Sequence, residues 1–150
     1  QLSRRNALNP RVLEAHHMTG KYSTETDGIV RSTGAVEPTP LSWGQLVWLI
    51  GEEHTPGAEQ TLGVVTIQPG KRNPLHQHPN CEELLYVLEG EADHKLGDEM
   101  YRITAGDVIR IPRGVPHWAR ATGDTPLVAI ISFSAADRRT ENLEDTDDIA

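Results

Sequence analysis

Short apolar runs, many of them alternating with polar residues, fill the middle of the chain. From Trp43 the sequence reads WGQLVWLI (43–50), QTLGVVTI (60–67), LHQH (75–78), ELLYVLEG (83–90), EADHKLG (91–97), YRI (101–103), DVIRIP (107–112), HWARA (117–121) and LVAIISFS (127–134). Each run has strand length, and turn formers separate them: Pro69-Gly70, Gly90, Gly97-Asp98, Ala105-Gly106-Asp107, Arg113-Gly114 and Gly123-Asp124. Nine short strands with no helical period between them predict an all-β sandwich or closed barrel over residues 41–136. Residues 1–40 sustain neither period and read as an irregular N-terminal arm. One short helix is expected there over residues 9–18, where Asn9 can cap and Pro10 suits the first helical turn. Residues 137–150 carry six acidic and few apolar residues, so a flexible tail is expected.

Composition narrows the classes. A chain of 150 residues suits one domain, and no apolar run approaches the ~18 residues of a membrane helix. Fourteen Lys and Arg against 22 Asp and Glu leave a net charge of −8, which repels phosphate backbones and anionic lipid, so neither nucleic acid nor a membrane is an expected partner. A single cysteine, Cys81, cannot form an intramolecular disulfide. Together with the lack of a secretory apolar stretch near Gln1, it makes the cytoplasm the expected location.

Candidate chemistry gathers around three histidines. His76 and His78 stand two apart in a strand-like segment, so both side chains project from one face and can reach one ion. Glu83 follows after the Pro79-Asn80 turn, and His117 follows a separate strand and the turn at Pro112-Arg113-Gly114. Neutral imidazoles with one carboxylate suit a first-row divalent transition metal. Without an ion, burying these groups would cost on the order of 2 kcal/mol for each one left unpaired. Glu82 competes with Glu83 as the carboxylate. Strand parity favours Glu83, which it groups with Leu85 and Val87 on an apolar face while Glu82 points the other way.

Two motifs resemble those of the cupin superfamily. The first is Gly70, five residues, His76-Gln77-His78, four residues, Glu83, six residues, Gly90; the second is Gly106, five residues, Pro112-Arg113-Gly114, two residues, His117. The family's second motif often ends in asparagine, where this chain has Ala121. The resemblance spans residues 43 to 134 and implies a double-stranded β-helix, or jelly-roll barrel, whose interior holds the metal. It implies His76, His78, Glu83 and His117 as ligands of one Fe, Mn, Ni, Co or Zn ion, and the six-residue gap to Gly90 again selects Glu83. The missing asparagine leaves Ala119 and Ala121 on the His117 face as small groups beside the ion.

Four protein ligands leave an octahedral ion two open positions, which points to catalysis on a small-molecule substrate. The expected activity is that of a small metal-dependent enzyme acting on an oxygenated organic molecule, oxygenase chemistry first and lyase or isomerase chemistry next. The alternative is a non-catalytic metal and ligand binding or sensor module. Arg72 is a candidate for gripping an anionic substrate, and Trp118 for walling the pocket. His16, His17, His54 and His94 read as solvated surface histidines, with His54 able to approach the barrel mouth. Cys81 reads as a loop thiol without a special role; Tyr86 and Arg110, on central strands, could supply a proton or bind a carboxylate, but parity turns Tyr86 away from Glu83 towards core or interface packing. Trp43 and Trp48 read as core or interface packing. A homodimer with exchanged N-terminal arms is expected, because a lone barrel exposes sheet edges.

Overall fold

The computed structural model describes residues 29–149. The helix expected over residues 9–18, His16, His17 and most of the arm lie outside the described residues. After one 3-10 turn, Thr33–Ala35, the described chain is built of strands: β1 (Thr39–Leu41), β2 (Gly44–Ile50), β3 (Thr61–Ile67), β4 (His76–Gln77), β5 (Glu83–Glu89), β6 (Glu91–Leu96), β7 (Glu99–Thr104), β8 (Val108–Ile111), β9 (His117–Ala121), β10 (Leu127–Phe133) and β11 (Glu141–Asn142). All nine runs read from the apolar pattern form strands; β1 and β11 were not foreseen.

The strands make two antiparallel sheets, ordered β1-β2-β3-β10-β5-β8 and β11-β4-β9-β6-β7. This is the two-sheet jelly-roll arrangement. Alternation decides which side chains enter. In β3 and β10 every second residue is buried, so Val65, Ile67, Leu127, Ala129 and Ile131 meet Leu85, Val87 and Ile111 between the sheets. Each large aliphatic side chain buried this way stabilises the fold by roughly 1.5–3 kcal/mol. Gly90 ends β5 with φ +80°, and a Cβ there would lie 2.4 Å from the carbonyl oxygen of Pro126. The first motif's last glycine is therefore required both by its backbone conformation and by the close approach of the loop before β10.

The C-terminal segment departs from the expected loose tail. β11 pairs with β4, placing Glu141 opposite Gln77 and Asn142 opposite His76. The Leu143 amide continues the pairing onto the Leu75 carbonyl at 2.9 Å. Further on, the Trp43 indole donates to the Asp148 carbonyl at 2.9 Å, and the Ser42 amide donates to Asp148 Oδ1 at 2.9 Å. Composition misses this because the ordering force is not apolar burial. The short strand β4 offers unpaired backbone groups at a sheet edge, and a polar segment can satisfy them. Among the described residues no helix is long and apolar enough to cross a membrane.

Candidate metal centre

The two sheets deliver the four candidate ligands to one point. His76 on β4 pairs directly across from His117 on β9, while Glu83 opens β5 in the opposite sheet, between Phe133 and Ile111. His78 follows β4. All four are buried, and one ligand atom from each lies within 4.8 Å of the others. Glu82, one residue off, points outward and pairs with Arg110 at 2.6 Å, so the parity argument for Glu83 holds in the structure.

Hydrogen bonds fix which nitrogen of each ring faces the centre. His76 Nδ1 donates to the Pro74 carbonyl at 2.7 Å, His78 Nδ1 to Arg139 at 2.9 Å, and His117 Nδ1 to Val115 at 2.9 Å. A carbonyl oxygen can only accept, so the proton sits on Nδ1 and the Nε2 lone pair is left for an ion. His78 Nε2 is buried without a hydrogen-bond partner, although it stands 3.1 Å from Glu83 Oε2. His117 Nε2 lies 3.0 Å from the same oxygen. Two ligand atoms about 2.1 Å from a shared ion and at right angles stand about 3 Å apart. The donor set, the orphaned nitrogen and these spacings fit a divalent transition metal.

The electrostatics agree. Burial pushes the Glu83 carboxyl upward, but the hydrogen bond from His117 and the adjacent His117 and His78 rings outweigh it and hold the carboxyl well below its ordinary range. Burial and the neighbouring His117 drive His76 down to about 3, so it is a neutral, ready ligand at any ordinary pH. Burial lowers His117, and its bond to Glu83 raises it more, for a net upward shift. In the metal-free protein a proton on His117 thus occupies the place an ion would take.

A cavity of about 40 Å³ adjoins the four ligands, walled by Trp43, Leu85, Ile131 and Phe133 together with Asn73 and Ala119. A water needs about 10–15 Å³ on this measure, so the space beside an ion suits two or three waters or one very small molecule.

Four residues singled out in the sequence stand differently from expectation. His94, read as a surface histidine, is 1% exposed and lines the cavity. Its ring stacks parallel to His117 at 5.9 Å, and its Nδ1 has no hydrogen-bond partner among the described residues. Burial and His117 lower it to about 4. Its parity with buried Ala92 on β6 was the available signal. Arg72 and Trp118, candidate substrate residues, lie outside the cavity lining. Trp118 alternates away from His117, and Arg72 packs over its ring at 5.3 Å while pairing with Glu144 at 2.9 Å. Ala119 lines the cavity, whereas Ala121, also buried, sits beyond it.

Other residues take clear positions. His54 lines a second cavity, and Tyr86 faces outward from β5, half exposed. Cys81 is buried and free, with its thiol pushed up by that burial. Besides His94, two polar cavity residues were not anticipated. Asn73 accepts the Ala119 amide through Oδ1 at 2.7 Å, and Arg138 arrives from the C-terminal segment.

Comparison with known proteins accords with this geometry. The cupin domain family matches residues 63–133. Germin-like protein 5-1 of Oryza sativa subsp. japonica is 34% identical over 129 residues, covering 80% of this chain and 58% of that protein. Protein SchB of Streptomyces halstedii is 31% identical over 93 residues, 59% of this chain and 67% of its own length. Among solved structures, the formate complex of Lactobacillus farciminis oxalate decarboxylase superposes with a TM-score of 0.69 at 27% identity, over 73% of this chain and 34% of that one. The chain therefore spans 44–60% of the germin-like and nectarin relatives and a smaller share of the decarboxylase. With its two motifs, its two-sheet barrel and its converging three-histidine, one-glutamate cluster, the chain belongs to the cupin superfamily.

Proposed function

We propose that this chain is a metal-dependent enzyme acting on a very small oxygen-bearing organic anion, with carbon–carbon bond cleavage of a short carboxylate ahead of oxygenase chemistry. The observation that carries the reading is the pairing of an open-sided cluster of four ligands with a cavity of about 40 Å³. A space of that size suits a molecule of a few heavy atoms better than an aromatic or flavonoid substrate. The ordering of reactions differs from the one expected from sequence because of this size limit. It is supported by the named activity of the decarboxylase neighbour.

His76, His78, Glu83 and His117 would hold the ion. When bound, a divalent metal supplies a Lewis acid that polarises a chelated carboxylate, and manganese is the first candidate because a neighbour is described through its Mn(II) centres. The chain's own groups do the rest. The Nδ1 tethers to Pro74, Arg139 and Val115 keep the three rings from turning. Apolar walls from Leu85, Ile131 and Phe133 exclude bulk water, which strengthens every charge interaction inside. Neutral His94 lies against His117 as an ionisable cavity group that is not a ligand.

The reading is tested by metal analysis of protein purified without chelator. Turnover is then assayed with oxalate and small 2-oxo acids, following carbon dioxide and dioxygen separately. Carbon dioxide release without dioxygen consumption is expected. His76→Ala should abolish turnover while unfolding stays cooperative, and retained activity in that variant contradicts the proposal.

A further inference from the structure

Four imidazoles are buried among the described residues, and three of them are tied down. His76, His78 and His117 each give an Nδ1 proton to a backbone carbonyl at 2.7–2.9 Å. His94 is the exception. It is 1% exposed, yet its Nδ1 has no hydrogen-bond partner among the described residues. The Lys95 backbone favours a proton on the ring, as the weakest of the influences acting there, without closing a hydrogen bond to Nδ1.

Strand pairing brings this ring to the metal centre. Alternation along β6 turns both Ala92 and His94 inward. His94 stands opposite Ala119 on β9, two residues along the same face from His117. A methyl at position 119 leaves the space in which the His94 ring lies parallel to His117, with 7° between the planes and 5.9 Å between centroids. Its nitrogens stay outside the set of ligand atoms that lie within 4.8 Å of one another, so His94 borders the ion's place without joining the donors.

An imidazole at this point calls for a partner from the cavity. A leucine or phenylalanine would pack there with no polar atom to satisfy, whereas a buried ring nitrogen is costly until something completes it. Burial and His117 keep the ring neutral at ordinary pH, so it carries one N–H and one lone pair. Carbonyls fix the tautomer of the three ligand rings; no such bond holds Nδ1 of His94, and the nitrogen nearer a ligand can take the proton. Leu85, Ile131 and Phe133 offer that ligand only apolar walls, and Asn73 Oδ1 is already taken by the Ala119 amide. In a cavity of about 40 Å³ a molecule on the ion lies within reach of the wall that His94 forms.

Charge selects the kind of molecule. A dication held by Glu83 and three neutral imidazoles keeps one net positive charge, which favours an anion in the open position. A carboxylate that gives one oxygen to the ion has a second oxygen for an N–H donor.

We infer that His94 is a specificity-determining residue, whose ring N–H donates to the second oxygen of a small carboxylate held at the metal. The inference rests on the proposed metal reading and adds the side chain that orients the ligand.

The test loads the full chain with Co²⁺ and follows its visible spectrum during titration with formate at neutral pH. His94→Phe keeps a flat ring against His117 and removes both nitrogens. It should hold one cobalt within about two-fold of wild-type affinity and weaken formate by about ten-fold or more, as expected for loss of a hydrogen bond to a charged acceptor. His94→Gln restores an N–H donor and should recover formate affinity to within about three-fold of wild type. Should H94F not unfold cooperatively or take up cobalt, His94→Leu replaces it in the comparison, with the same loss expected. A ring that only packs gives a different pattern: formate affinity in the apolar variant equal to wild type, or in His94→Gln no better than in the apolar variant, and either result overturns the role of His94 alone. Cobalt-loaded wild type whose spectrum formate leaves unchanged overturns the inference while the metal reading stands. A wild-type chain that takes up no cobalt overturns the metal reading and this inference with it.

Discussion

His117 and Arg138 line the same cavity, yet they reach it by different routes. His117 sits on a central strand whose register is set by β6 on one side and β4 on the other. Arg138 sits in a segment held at a sheet edge by backbone pairing with the two-residue strand β4 and by polar contacts such as Asn80 Nδ2 to the Asp137 carbonyl at 3.0 Å. The ligands are thus positioned by apolar burial and strand alternation, and the arginine by hydrogen bonds at an edge. The first kind of placement is rigid and local in sequence. The second is conditional and can be removed without dismantling the barrel.

The sharpest way to break this comparison is to remove a ligand. Glu83→Gln and His117→Ala should each lower metal affinity by at least about 100-fold, measured by competition with a chelator, because an ion loses a quarter of its protein donors. Next in size is the edge segment. A chain ending at Arg138 loses the Arg139 carbonyl that tethers His78, and metal affinity should fall about 10- to 100-fold, the usual effect of removing a group that orients a ligand. Cooperative thermal unfolding should persist. Collapse of the whole fold on truncation would show that the tail is as integral as the strands.

A smaller effect concerns pH. His94 is lowered to about 4 in the folded protein from an ordinary 6.5, so between those values the unfolded chain binds the extra proton. The contribution of His94 to the stability of the metal-free protein is therefore complete above about pH 6.5 and declines as the pH falls towards 4, by up to about 3 kcal/mol. His94→Gln should flatten that slope in denaturant titrations. Smallest of all is Arg72→Ala: its pairing with Glu144 is partly exposed, so loss of about 0.5 kcal/mol and less than a two-fold change in metal affinity are expected. A larger change would return Arg72 to the site.

These contrasts also explain what could be read without coordinates. The barrel strands and the four converging residues are written as alternation and spacing, and the strand periodicity of two assigns Glu83 inward and Glu82 outward. The same rule, carried to β6, places His94 inside with Ala92, and carried to β9, places Trp118 outside. Arg138 had no such signal. Its position follows from an edge strand two residues long, about sixty residues earlier in the chain, and from a tail whose composition gives no hint of order.

The central claim is that His76, His78, Glu83 and His117 bind one divalent metal and leave part of its coordination sphere open. Anomalous diffraction at the manganese edge, from crystals grown with Mn²⁺, tests it most directly. One peak is expected between the two sheets, bonded to the three Nε2 atoms and the Glu83 carboxylate, with non-protein positions facing the cavity. A peak elsewhere, or no peak at these residues under saturating metal, would contradict the account.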